Sequence, residues 1–181
     1  MVTYMIHDDF VSLPMALAII RAADLYDSVV HVEYSNHLGF TDSASEWEMN
    51  FSARGGALRF GYPPSLFYSA IDSVDATSDH LAAAINASSA GSPLWILAGG
   101  PMETIWRGIN KATPAKRKYV RVVSHSQWNE QHVHFGGPPL SNDWEDLVND
   151  FTLDSTQFIQ IPDQNNDQGA GFKARKATGV G

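Results

Sequence analysis

Two regimes of apolar patterning alternate along this chain. Short apolar runs end in Gly, Asn, Asp, His or Ser, and longer stretches carry apolar residues at every third or fourth position. The first regime reads as strand and the second as helix. The clearest unit is Ser92–Ile109. Pro93–Ala98 is an apolar run with the pattern of a strand buried on both faces. Gly99-Gly100 turns the chain. Pro101 suits a first helical position, Glu103 offsets the helix dipole, and Ile105, Trp106 and Ile109 follow at helical spacing. The pattern is strand, glycine turn, helix.

Other stretches repeat this unit. Val2–Ile6 reads as a first strand, followed by a helix from Val11 to Tyr26 with Pro14 in its first turn. Val29–Tyr34 is a second strand, ending in Ser35-Asn36-His37-Leu38-Gly39. Thr41–Phe60 is an amphipathic helix that Gly55-Gly56 can break in two, and Tyr62-Pro63-Pro64 is a stop. Ser65–Ala70 reads as a short helical turn. An alanine-rich helix spans Asp79–Ser88, capped by Asp75 or Ser78. After the Pro101–Lys111 helix and a basic run at Lys116-Arg117-Lys118, taken as a solvated loop, Tyr119–Val123 is a strand. It leads into the polar segment Ser124–His134. Asn142 or Ser141 caps a short helix through Trp144, Leu147 and Val148, and Thr156–Ile161 is the last strand. Residues 1–161 thus form a single α/β domain, and 162–181 a polar, flexible tail.

Alternation of about five strands with helices predicts an open, mainly parallel, doubly wound sheet. Right-handed crossovers then bring the strands' carboxyl ends to one edge. Asp8, Asp9, Asn36, His37, Gly99, Gly100, His125, Asn129 and Glu130 would gather there, where ligands bind in such sheets.

Composition narrows the partners. The 181 residues carry 12 Lys and Arg against 20 Asp and Glu, a net charge of -8 that argues against nucleic acid. A cation site is compatible with that charge. Cysteine is absent, which excludes disulfides and thiol chemistry. No apolar run is long enough to span a membrane. The amino terminus lacks a signal-peptide pattern, so the expected location is cytoplasmic if Met1 is the native start, and secreted if a signal has been removed. Exposed sheet edges would favour a homo-oligomer.

Asp8-Asp9 is the sharpest chemical feature. Two adjacent carboxylates raise one another's pKa unless a cation relieves them, and calcium takes such oxygen ligands. The plain alternative is a helix start. Asn36-His37 suits either a sugar hydroxyl or an Asx turn. His125 or Glu130 could act as an acid, Trp128 could stack on a ring, and Asn129 could complete a pocket. A surface loop explains the same segment equally well. His125, His132 and His134 give a weak zinc pattern, without cysteine or a helical His-Glu-x-x-His. Gly99-Gly100-Pro101 could cradle a phosphate but matches no nucleotide-loop motif.

Asp8-Asp9 followed by Leu13, Ala16 and Leu17 resembles the first helix of the inosine-uridine-preferring nucleoside hydrolase superfamily. Asn36 looks like that family's strand-end Asn, and Trp95–Thr104 is similar to its Gly-Pro segment. Tyr119–His125 and Phe158–Asp163 look closer to a polysaccharide-associated bacterial branch. The resemblance covers Ile6–Ile161 in element order. It implies a nucleoside hydrolase-like sheet and an N-glycosidase with calcium at its site. Asp9 would bind the metal, Asp8 would hold a sugar hydroxyl or share the metal, and Asn36 would face the sugar. The ion would activate the attacking water. Tyr4 stands where the family's further metal-binding Asp is expected, and the chain looks shortened relative to the family. The expectation is a hydrolase acting on a nucleoside or another saccharide, with Asp8, His125 and Glu130 as catalytic groups and Asn36, His37, Trp128 and Asn129 around the substrate. The second expectation is a non-catalytic carbohydrate-binding or assembly protein, with Trp47, Trp128 and Trp144 as stacking platforms.

Overall fold

A computed structural model describes residues 6–34, 43–100, 102–124, 130–131 and 142–162, and of 6–10 and 43–45 the backbone alone. Among these residues the order is α1 (Ile6–Ala22), β1 (Val32–Tyr34), α2 (Ser43–Phe60), β2 (Phe67–Ser69), α3 (Val74–Ala87), β3 (Leu94–Ala98), α4 (Glu103–Lys111), α5 (Pro114–Arg117), β4 (Val120–Ser124), α6 (Trp144–Phe151) and β5 (Gln157–Gln160). The strands form two parallel sheets, β1-β2 and β3-β4-β5. The protein is α/β.

Several elements differ from expectation. Helix α1 already includes Ile6, so the predicted first strand is not one at Ile6, and its residues 2–5 lie outside the described residues. Pro14 therefore sits inside the helix, where it removes one backbone donor. Ser65–Ala70 is not a helical turn. Pro64–Leu66 makes one 3-10 turn, and Phe67–Ser69 pairs with Val32–Tyr34 as a strand. The pairing partner outweighs the weak local signal of a six-residue run. Gly55-Gly56 does not break α2, because Gly56 lies against α1, where an added Cβ would stand 3.3 Å from Leu17 Cδ1 and from Pro14 Cα. Helix α3 begins five residues earlier than expected, with Ser73 as cap accepting from the Ala76 amide at 3.0 Å.

Two apolar cores result. The first joins Leu17 of α1, Val32 and Tyr34 of β1, Met49, Ala53 and Ala57 of α2, Tyr62, and Phe67 of β2. The second joins Leu81 and Ile85 of α3, Met102, Ile105 and Ile109 of α4, Val120 and Val122 of β4, and Leu147 and Phe151 of α6. Side chains alternate along a strand. Leu94, Ile96 and Ala98 thus share the core face with Val120 and Val122, while Trp95 and Leu97 face the other way and are 55% and 73% exposed. Strand β3 is accordingly buried on one face, not two. The reason is topological: strands paired in chain order through right-handed crossovers place their connecting helices on the same side. The Arg121 guanidinium lies over the Trp95 ring at 5.6 Å on the open face.

The basic run is part of the framework rather than a solvated loop. Arg117 pairs with Asp154 at 2.7 Å and covers the Phe151 ring, and Lys116 donates to the Ser88 carbonyl. Helix α6 is capped by Asp143, not by Asn142 or Ser141. Its carboxylate accepts from the Glu145 and Asp146 amides, and Asp146 accepts in return from the Asp143 amide. Such a capping box satisfies donors that a helix start otherwise leaves open. Asp143→Ala is expected to lower the unfolding free energy by about 1 kcal/mol, read as a lower urea midpoint at unchanged slope.

Candidate functional site

In both sheets all strands run parallel, so their carboxyl ends lie at Tyr34, Ser69, Ala98, Ser124 and Gln160. Two side chains at these ends are buried polar groups without a hydrogen-bond partner among the described residues. The Tyr34 hydroxyl is at the end of β1, on a residue 4% exposed, and the Ser124 hydroxyl is at the end of β4, on one fully buried. Each costs about 1–3 kcal/mol unless a ligand or water meets it.

Of the residues singled out in the sequence, Glu130 is described in full. Its Oε2 accepts from Gln160 Nε2 at 2.7 Å, which ties it to the last residue of β5. Asp8 and Asp9 occupy backbone positions in the first turn of α1, not a strand-to-helix junction opening at Val11. A helix start there accounts for two carboxylates through the dipole alone. Asn36, His37, His125, Trp128 and Asn129 lie outside the described residues, as do His132, His134 and Pro101. Among the described residues, no group of three or more His, Asp or Glu stands where it could hold a metal ion, and no helix is long and apolar enough to cross a membrane.

The aromatic candidates separate. Trp144 is packed edge-on against Phe158, with ring centroids 5.6 Å apart at the margin of the second core, and is not a stacking platform. Trp47 is 64% exposed and stacks on the equally exposed Phe51 at 5.4 Å. Trp47, Phe51, Arg54 and Leu58 recur at helical spacing along one stripe of α2. That stripe leads into a groove of about 320 Å³ that Arg54 and Leu58 share with Pro63, Pro64 and Phe67.

Sequence reasoning passed over a second polar cluster. His31 immediately precedes β1 and Glu33 lies within it, and two residues apart in extended chain they share a face. Thr104, in the first turn of α4, donates a hydrogen bond to Glu33 Oε1. Glu33 Oε2 lies 3.4 Å from His31 Nε2, and His31 Nδ1 lies 2.9 Å from His80 Nδ1 on α3. The Tyr68 ring packs over His80 at 4.4 Å. Burial, and secondarily the proximity of His31, push the His80 pKa below its ordinary 6.5. The signal available in the sequence was a strand placing two titratable groups two residues apart. The third member stands 49 residues away in the chain, and nothing local announces it.

The class that the fold defines is an α/β protein with parallel strands. Among known proteins, Uncharacterized protein P22 of Formosa agariphila is 32% identical over 166 residues, covering 87% of this chain and 57% of that protein. The chain thus spans little more than half the length of that relative. No family model and no solved structure matches the chain.

Proposed function

We propose that the two sheets are halves of one doubly wound sheet in the order β2-β1-β3-β4-β5, and that the protein hydrolyses a glycosidic bond of a nucleoside or another carbohydrate at its carboxyl edge. The Glu33–Thr104 bond supports the strand order, because Thr104 lies in the first turn of α4, the helix that follows β3, and so draws β1 towards β3. Strand order would then reverse between β1 and β3, the place where such sheets take their ligands. In the chain, Asn36-His37 follow β1 and Gly99-Gly100 follow β3.

The placement of Glu130 carries the hydrolase reading. It is a carboxyl group that, among the described residues, is held at a strand's carboxyl end by the Gln160 side-chain amide. Glu130 or His125 would donate a proton to the leaving group as its bond to the anomeric carbon breaks. Water would add to that carbon, and its proton would pass to a carboxylate of the edge such as Asp8. Asn36, His37 and Asn129 would hold sugar hydroxyls, and Trp128 would stack on a ring. Asp8 and Asp9 would hold calcium, which supplies a water of lowered pKa when bound.

The expected result is a calcium-dependent rise in unfolding temperature that EDTA reverses and Asp9→Ala abolishes. Ligand at a hundredfold excess over Kd stabilises by about 2.7 kcal/mol. Glu130→Gln should then lose sugar release while keeping the calcium shift. Thermal unfolding unmoved by calcium would leave Asp8-Asp9 as a helix start and remove the metal-assisted reaction.

One observation favours a second reading, a non-catalytic carbohydrate-binding protein. The exposed Trp47–Phe51 stack continues past Arg54 into the groove at Leu58. Aromatic faces beside a guanidinium suit the CH face and hydroxyls of a saccharide. Binding of oligosaccharides that Trp47→Ala weakens, with no sugar released by the unaltered chain, would establish it.

A further inference from the structure

We infer that the His31–His80 pair is an acid-released latch that holds the β1-β2 half of the molecule to the β3-β4-β5 half. Among the described residues the two apolar cores are separate, and β1 with the residue before it reaches the elements of the second core through polar side chains: His31 to α3, and Glu33 to α4. Beside the bond from Thr77 of α3 to the Ser69 carbonyl of β2, the seam among the described residues therefore carries titratable groups.

The geometry of the pair defines its protons. The ring centroids are 5.2 Å apart and the planes 25° from parallel. The radii of two imidazoles added to a 2.9 Å nitrogen separation account for that distance, so the rings meet edge to edge and share a proton rather than stacking face to face. An N–H···N bond needs one protonated and one bare Nδ1. Glu33, itself anchored by Thr104, takes the proton-bearing Nε2 side of His31. A neutral His31 then presents a bare Nδ1, and His80 Nδ1 is the donor. A first added proton belongs to the pair, leaves one of the two Nδ1 atoms bare and keeps this bond intact. A second has only the remaining bare Nδ1 to occupy. Both Nδ1 atoms are then donors, the bond is lost, and two cations face each other across the seam.

The charged and titratable groups around the pair are Glu33 from β1 and Tyr68 from β2. From α3, Asp75 and Asp79 are engaged by Lys111 of α4, with Arg107 also on Asp75. Among the described residues Glu33 is thus the carboxylate in contact with the pair, and one carboxylate offsets one positive charge, not two. The lowered His80 pKa has the matching sign: the unfolded chain binds a proton below 6.5 that the fold resists, so stability falls as pH falls through that region.

Hydrogen exchange of the full chain tests the latch. Corrected for intrinsic rate, protection of the Val32–Tyr34 amides should fall about tenfold more than that of Val120–Ser124 between about pH 7.5 and about pH 5. In His80→Gln that difference should vanish, because the glutamine amide bonds without titrating. Parallel loss in both strands, or an unchanged difference in His80→Gln, would overturn the inference. Imidazole nitrogen NMR of the unaltered chain needs no folded variant. One bare and one protonated Nδ1, coupled through a shared proton and both protonated in acid as β1 opens, is the expected result. Two rings that titrate independently would refute it.

Discussion

Glu103→Ala should destabilise the protein by about 3 kcal/mol, measured as a drop in urea midpoint. Glu103 opens α4 and is 3% exposed. One oxygen accepts from Arg107 Nε at 2.6 Å, and the other accepts from the Asn142 amide at 2.9 Å and the Asn142 side chain at 2.8 Å. Truncation leaves two Asn142 donors unmet just before α6 and removes the buried partner of Arg107. Arg107 retains Asp75 at 3.1 Å, but that carboxylate is 74% exposed and screened by water. The loss therefore stays below the upper range for a buried pair left wholly uncompensated. Glu103→Gln keeps the shape and one acceptor and should cost about 1 kcal/mol. Small domains are stable by only about 5–15 kcal/mol, so the alanine variant should lose a large share of its reserve. A change under about 0.5 kcal/mol, the usual size for an ordinary surface site, would mean that Glu103 does not clamp α6.

Gly108→Val should cost about 3 kcal/mol, at the top of the usual range for overpacking. Gly108 is where α4 meets α3. A Cβ there would stand 2.6 Å from Leu81 Cδ2, 2.7 Å from its Cγ and 3.0 Å from its Cβ. Leu81 is itself buried in the second core, so its side chain has nowhere to swing, and the helices must part. Gly108→Ala should cost less, since alanine recovers about 1 kcal/mol of helix propensity against the same clash. A double-mutant cycle isolates the cause. Leu81→Ala alone removes buried volume and should cost about 2–5 kcal/mol. Combined with Gly108→Ala it should cost clearly less than the two losses added, because the new methyl enters the space that the leucine left. Strict additivity would place the strain elsewhere.

Much of this architecture was legible in the chain. The order of strand, turn and helix around Gly99-Gly100 holds, because Leu94–Ala98 and Glu103–Lys111 each carry their periodicity within a few residues, but the strand is open on one face and the helix spans Glu103–Lys111. Among the described residues there are five strands, the number expected, but the set differs: Phe67–Ser69 is included and Ile6 is helical. Short apolar runs of similar composition were assigned opposite states because a strand needs a neighbour to pair with, and the neighbour is not written locally. The candidate site was legible in residue types and much less so in placement. Glu130 was picked as a strand-end acid and is tied to β5, whereas Asp8-Asp9 belong to a helix that begins before them. Trp47 and Trp144 look alike in sequence, yet one is exposed and the other packs on Phe158.

The sequence by itself determined the α/β class and the strand–turn–helix rhythm, since these follow from spacings of two to four residues; it did not determine the outward face of α2, where Trp47, Phe51 and Leu58 are exposed. Only the tertiary structure decided which face of β3 is open, which helices Gly56 and Gly108 let approach, and which groups meet across the seam. His31 finds His80 49 residues away, and Glu103 finds Asn142 39 residues away. Such meetings depend on how crossovers stack the elements, a property of the whole chain that no local window of residues carries.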